Sequence, residues 1–197
     1  MGEGYMLYRS LRVLSRIVYK LVFRLEAIGV ENVPAEGPVI LCSNHISVMD
    51  PPTIGTPLNR EIRFMAKQEL FEIPLFGRFI TKLGAFPVKR GGISKQSMRT
   101  ALEILKSGQV LGIFPEGTRK NPGVGKRGAA TFALRSKAVV IPVAIIGNYR
   151  LFRKMKIVYG EPVDLDDLAQ DESPDRLEKA TERIMERIHT LINEHRA

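Results

Sequence analysis

Six short apolar runs, residues 27–30, 38–42, 62–65, 110–114, 139–146 and 155–159, recur through the chain between stretches rich in Gly, Pro, Asn and Ser. Several are continuous and do not alternate with polar residues. A strand points successive side chains to opposite faces, so an unbroken apolar strand needs cover on both. A sheet with helices packed on both sides, hence an α/β domain, satisfies that need. The 197 residues fit a single domain with a substantial core. None of the runs crosses a bilayer: the longest apolar stretch, residues 138–147, has ten residues and includes Pro142, against the ~20 that a spanning helix requires.

Three segments read as helices. At about 100° per residue, Leu7, Leu11, Leu14, Ile17, Val18, Leu21, Val22 and Leu25 share one face of a helix over residues 5–25. Arg9, Arg12, Arg16, Lys20 and Arg24 share the other, and they also interrupt any secretory signal. Such a basic amphipathic helix serves either as a core-packed element or as a membrane-surface element. Residues 1–26 are accordingly read as an interface helix and 27–197 as the globular domain. A second helix starts after the N-cap Ser94, with Ile93 and Met98 spaced for a hydrophobic staple, and ends before Gly108. A last helix begins near Ser173-Pro174 and carries the stripe Leu177, Ile184, Ile188, Leu191 and Ile192.

Charge is unevenly placed. From residue 161 onward eleven acidic and five basic residues give −6, so residues 1–160 hold +15 of a total of +9. A surface that basic suits nucleic acid, an anionic membrane or a phosphate-bearing substrate. Few aromatics, no tryptophan and no nucleic-acid motif count against nucleic acid. The single cysteine, Cys42, forms no internal disulfide and lies in an apolar run, where a buried thiol is expected.

Several motifs fail on inspection. Gly123-Val124-Gly125-Lys126-Arg127-Gly128 matches G-x-G-x-x-G in letters only, because no strand immediately precedes it and no acid follows at the required distance. Read as a P-loop, the same stretch has Lys120 where Gly is required and Arg127 where Ser or Thr should stand. There is no G-x-S-x-G elbow, and His45, His189 and His195 make no metal-ligand pattern. His189 and His195 lie off the last helix's apolar stripe and read as solvated side chains.

Two strand ends carry the chemistry. After the run 38–42 come Asn44, His45 and, five residues beyond His45, Asp50 followed by Pro51. A continuous helix separates positions five apart, so a turn must bring the two together, and Pro51 disfavours helical geometry at Asp50. So paired, a neutral imidazole accepts a hydroxyl proton on one nitrogen while the carboxylate holds the other N–H. The second end is Phe114-Pro115-Glu116-Gly117-Thr118-Arg119. Thr118 and Arg119 supply phosphate donors there, and Glu116 either fixes the arginine or binds a substrate hydroxyl.

Together these segments resemble the glycerolipid acyltransferase family, most closely its 1-acyl-sn-glycerol-3-phosphate acyltransferases. Asn44-His45 with Asp50 matches the N-H-x-x-x-x-D block, and Phe114 through Arg119 matches the F-P-E-G-T-R block. Gly84-Ala-Phe-Pro-Val-Lys-Arg90 and Val140-Ile-Pro-Val143 are similar to the remaining two, in the family's order. Segments at 28–34, 67–71 with Pro74 and Gly77, and 126–129 fit as well.

The resemblance implies an α/β acyltransferase fold with a mixed sheet flanked by helices. It implies that His45 deprotonates a glycerol hydroxyl, that Asp50 orients His45, and that Arg90, Glu116, Gly117 and Arg119, with Lys67 in addition, bind the glycerol phosphate; Thr118 joins them as a phosphate donor by its own chemistry. Lys89 stands beside Arg90, so either side chain is available to the phosphate. The implied acceptor is lysophosphatidic acid, the donor a thioester of coenzyme A or acyl carrier protein, and the location the cytoplasmic side of a membrane, with no metal or cofactor. Glycerol 3-phosphate or another lysophospholipid as acceptor, and a basic membrane-binding protein without catalysis, remain the alternatives.

Overall fold

The computed structural model describes residues 3–88, 94–117 and 125–196, with side chains from Tyr8 onward. Seven strands, β1 (Glu26–Ile28), β2 (Val39–Ser43), β3 (Ile62–Lys67), β4 (Phe86–Val88), β5 (Val110–Ile113), β6 (Val139–Ile146) and β7 (Lys156–Tyr159), form one sheet. Their order is β1-β7-β6-β2-β5-β3-β4. Every neighbouring pair is parallel except β6 with β7, so the sheet is mixed, as the resemblance implied.

The six apolar runs become six of these strands. β4 was not anticipated from periodicity: it has three residues and contains Pro87, which the outermost strand tolerates because one side of its backbone has no ladder to complete. Pro142 lies within β6. Its carbonyl accepts from Gly160 N just beyond β7, so its missing N–H falls past the end of that ladder.

β2 is buried at every position, in the middle of the sheet. Its alternation divides the core. Ile40 and Cys42 face a layer with Leu105, Phe132, Ile184 and Ile188, from α5 (Lys95–Lys106), α6 (Gly128–Ser136) and α8 (Arg176–His195). Val39 and Leu41 face Tyr19, Phe23, Ile54 and Ile157, from the end of α1 (Glu3–Val22), from α2 (Asp50–Gly55) and from β7. Ser94 caps α5 as read from sequence, its hydroxyl accepting from Ser97 N; Ile93 of the proposed staple lies outside the described residues. The short helices α3 (Gln68–Phe71), α4 (Phe76–Lys82) and α7 (Asp166–Gln170) lack the length to show a period.

α1 docks mainly through a face other than its apolar stripe, although Val22, and Leu25 just beyond the helix, pack against the core. Tyr8 accepts a hydrogen bond from Ile62 N at 3.2 Å, and Arg16 donates to Thr56 O at 2.8 Å, Leu58 O at 3.1 Å and Asn59 Oδ1 at 2.9 Å. Tyr19 and Phe23 complete the contact, only 4 % and 7 % exposed. The basic face thus does not point wholly outward, since Arg16 satisfies four acceptors on the domain, Pro57 O at 3.2 Å being the fourth. The stripe of Leu14, Ile17, Val18 and Leu21 is left in contact with solvent, with Leu14 56 % and Leu21 66 % exposed.

Candidate active site

His45 and Asp50 meet at the carboxyl end of β2. The chain leaves β2 at Ser43, and buried Asn44 fixes the exit by pairing its amide with Ile145 of β6: Nδ2 donates to Ile145 O at 3.0 Å, and Oδ1 accepts from Ile145 N at 2.8 Å. This side chain extends the ladder by one rung after β2 has turned away. The loop then curls back to α2, whose first residue is Asp50.

Here the expectation that Pro51 keeps Asp50 out of a helix is corrected. Asp50 opens α2, with proline in its first turn, where the missing N–H has no intrahelical partner to lose. The fully buried carboxylate then serves four donors. Oδ2 accepts from His45 Nδ1 at 2.6 Å, Ile46 N at 2.7 Å and Ser47 N at 2.8 Å, while Oδ1 accepts from Tyr149 OH at 2.8 Å. An acceptor-only group with two oxygens accommodates all of them. The loop is therefore wound around the carboxylate, and Nδ1 of His45 is committed to it, leaving Nε2 as the nitrogen open to chemistry.

The ring of His45 is fixed from its face as well. It stacks on Phe114 with centroids 4.0 Å apart and planes 18° apart, and Phe114 in turn stacks on Phe64 at 6.0 Å. Room for Phe64 comes from Gly112 of β5, where a Cβ would overlap the Phe64 ring. Glu116, buried to 4 % exposure, accepts the backbone N–H of His45 at 3.3 Å. Its carboxylate thus helps hold the histidine loop. Gly117 takes a φ of +64° and donates to Phe114 O at 2.8 Å, closing the turn with a conformation that glycine adopts without strain.

Of the other residues named from sequence, Lys67 ends β3 exposed, opposite Val88 of β4. Arg90, Thr118 and Arg119, like Lys89, lie outside the described residues. Since β2, β3, β4 and β5 are parallel, Lys67, the end of β4 at Val88 and the turn at Glu116 share one edge of the sheet with His45.

Two participants were not anticipated. Tyr149, after β6, bonds both Asp50 and Thr53 Oγ1 (2.7 Å) and meets Phe23 edge-on at 5.6 Å. Burial and the neighbouring Asp50 charge push its hydroxyl well above the ordinary tyrosine range, so it stays protonated as a donor. No local pattern marks it, because it is 99 residues from its partner. The second is the end of α8: His189, Ile192 and His195 line a groove of about 850 Å³ with Asn44, His45 and Glu116. Gly125, from the failed glycine motif, packs against Thr181 and Met185 of α8, where a Cβ would collide. Its role is close packing. Cys42 is fully buried, and desolvation pushes its thiol up to about 12, so it is inert as a nucleophile.

A histidine at a sheet's carboxyl edge, oriented by a buried carboxylate and open on one nitrogen to a groove, is the arrangement of a general base without a protein nucleophile. The acyltransferase family model matches residues 24–146, and the chain belongs to that family. It is 37 % identical over 185 residues to a 1-acyl-sn-glycerol-3-phosphate acyltransferase of Bacillus subtilis strain 168, covering 90 % of this chain and 93 % of that protein. A protein of the same name from Borreliella burgdorferi is 31 % identical over 131 residues, 64 % of this chain and 52 % of the relative. The crystal structure of the 1-acyl-sn-glycerophosphate acyltransferase PlsC from Thermotoga maritima superimposes with a TM-score of 0.72 at 26 % identity, covering 100 % of this chain and 85 % of that one.

Proposed function

We propose that this chain is a 1-acylglycerol-3-phosphate O-acyltransferase, moving a fatty acyl group from a thioester to the sn-2 hydroxyl of lysophosphatidic acid and forming phosphatidic acid. The observation that carries the reading is the His45–Asp50 pair at 2.6 Å, within a chain matched over most of its length by relatives of that activity. His45 Nε2 takes the hydroxyl proton as the oxygen attacks the thioester carbonyl. Asp50 stabilises the imidazolium, and the tetrahedral adduct expels a thiolate that recovers the proton. Arg90 and Arg119, with Lys67, Thr118 and the Gly117 turn, hold the phosphate. Glu116 keeps the His45 loop in register, and its carboxylate borders the groove.

The acceptor is a lipid, and among the described residues no helix is long and apolar enough to cross a membrane. In this reading α1 lies in the interface on the cytoplasmic side, a placement supported by the exposure of Leu14, Ile17, Val18 and Leu21, which enter the acyl region, and of Arg9, Lys20 and Arg24, which lie near phosphates. α4, packed beside α1, adds Phe76 and Phe79, each more than 40 % exposed.

The decisive assay is transfer by purified protein from acyl-coenzyme A and acyl-acyl carrier protein to lysophosphatidic acid, glycerol 3-phosphate and other lysophospholipids, with His45→Ala alongside. Phosphatidic acid is the expected product, and His45→Ala should lose a factor of about 10² to 10⁴ while still binding acceptor. Preference for another acceptor would reassign the substrate; no transfer at all would leave a binding protein.

A further inference from the structure

The connection between β6 and β7 carries Arg150-Leu151-Phe152-Arg153-Lys154, which the acyl-transfer chemistry does not use. Leu151 is 67 % and Phe152 70 % exposed. The three cations beside them are exposed as well, and among the described residues neither Arg150 nor Arg153 has an acidic partner; Lys154 reaches Glu26 at 2.7 Å. Phe152 adopts a φ of +61°, a conformation unfavourable for a bulky side chain. Its N–H nevertheless donates to Val22 O at 2.6 Å, and Met155 N donates to Phe23 O at 3.1 Å. The tip is thus tied to the last turn of α1, where Leu21 is itself 66 % exposed.

Single exposed apolar residues need no explanation. Two adjacent ones, held in a disfavoured backbone conformation, flanked by three cations and bonded to the end of an apolar stripe, have the composition of an interfacial anchor: apolar side chains for the acyl boundary and cations for phosphates. The tip is also coupled to the active site. Tyr149, just before it, bonds Asp50, and Gly147, Asn148 and Lys154 line the groove that holds His45.

We propose that residues 150–154 are a second membrane-insertion point, occupied by an anionic bilayer. Leu151 and Phe152 enter the interface while Arg150, Arg153 and Lys154 meet lipid phosphates. A contact at the C-terminal end of α1, apart from α1 itself and its neighbour α4, further restrains rotation about the α1 axis and holds the mouth of the His45 groove against the lipid surface. An acceptor then reaches the base without leaving the bilayer. The proposal rests on the membrane-surface reading of α1 and is separable from it.

The test compares Leu151→Asn/Phe152→Asn with Leu14→Asp/Leu21→Asp and wild type; asparagine tolerates the positive φ at 152. Sedimentation with vesicles of phosphatidylglycerol and phosphatidylcholine reads the partition constant, and turnover is read on vesicle-borne and on short-chain, water-soluble lysophosphatidic acid. The tip variant should partition at least tenfold more weakly and lose vesicle-borne turnover in parallel, with turnover on the soluble acceptor kept. Wild-type partition by the tip variant, with loss in the α1 variant, overturns this inference and leaves the α1 reading standing; wild-type partition by both overturns the two together. Equal loss on the soluble acceptor would mean that the tip acts through Tyr149. Unchanged partition with a raised KM for acyl-acyl carrier protein would assign the tip to donor docking.

Discussion

Asp50→Asn separates the charge of the buried carboxylate from its hydrogen-bonding shape. The amide oxygen in place of Oδ2 still accepts from His45 Nδ1 and from the N–H groups of Ile46 and Ser47. The amide nitrogen in place of Oδ1 donates to Tyr149, whose hydroxyl hydrogen can turn to Thr53 Oγ1 at 2.7 Å. Every partner is kept, so the fold should hold. Asp50→Ala would instead strip the acceptor from four donors, at about 1–3 kcal/mol for each buried group left unsatisfied. What the asparagine lacks is the charge facing the imidazolium. With Nδ1 and Oδ2 2.6 Å apart, the charge centres are ~4 Å apart, worth about 4 kcal/mol at an effective dielectric of about 20. That corresponds to a loss of ~10³ in kcat. Single-turnover transfer to lysophosphatidic acid measures the rate, and thermal denaturation measures the fold, a change of ~1 kcal/mol moving Tm by about 2–4 °C in a chain of this size. Retention of more than a tenth of the wild-type rate would refute the electrostatic role. A much lower Tm would refute the assignment of donors.

Tyr149→Phe keeps the edge contact with Phe23 and removes one donor from Asp50; it should cost about 1.5–3 kcal/mol of stability and lower kcat with little change in KM, whereas an effect on KM alone would place Tyr149 in substrate binding. Arg90→Ala and Arg119→Ala should each raise KM for lysophosphatidic acid more than for an acceptor without phosphate, and lysine should rescue only in part for want of the bidentate fork; unchanged kinetics in both would remove them from the phosphate site. Cys42 should resist alkylation in the native protein at pH 8, because desolvation raises its thiol to about 12 and the thiolate appears only as pH approaches that value; it should react freely once denaturant exposes it. Rapid native labelling with loss of activity would contradict its burial.

Continuous apolar runs demanded a sheet covered on both faces, and six of the seven strands lie where those runs are. The N-cap of α5, the burial of Cys42 and the His45–Asp50 pair were likewise legible, because each depends on residues close in sequence. Periodicity located the stripe of α1 but left open what it faces. Tertiary structure decided that, because Arg16, Tyr19 and Phe23 meet partners on the domain and turn Leu14, Ile17 and Leu21 away from it. The same holds for Tyr149 at Asp50, Ile145 at Asn44, and Gly112 beneath the Phe64–Phe114–His45 stack. These contacts join strands that are adjacent in the sheet yet far apart along the chain, or reach across the domain. No local pattern records them, because side-chain periodicity reports which face a residue occupies and not which distant residue it meets there.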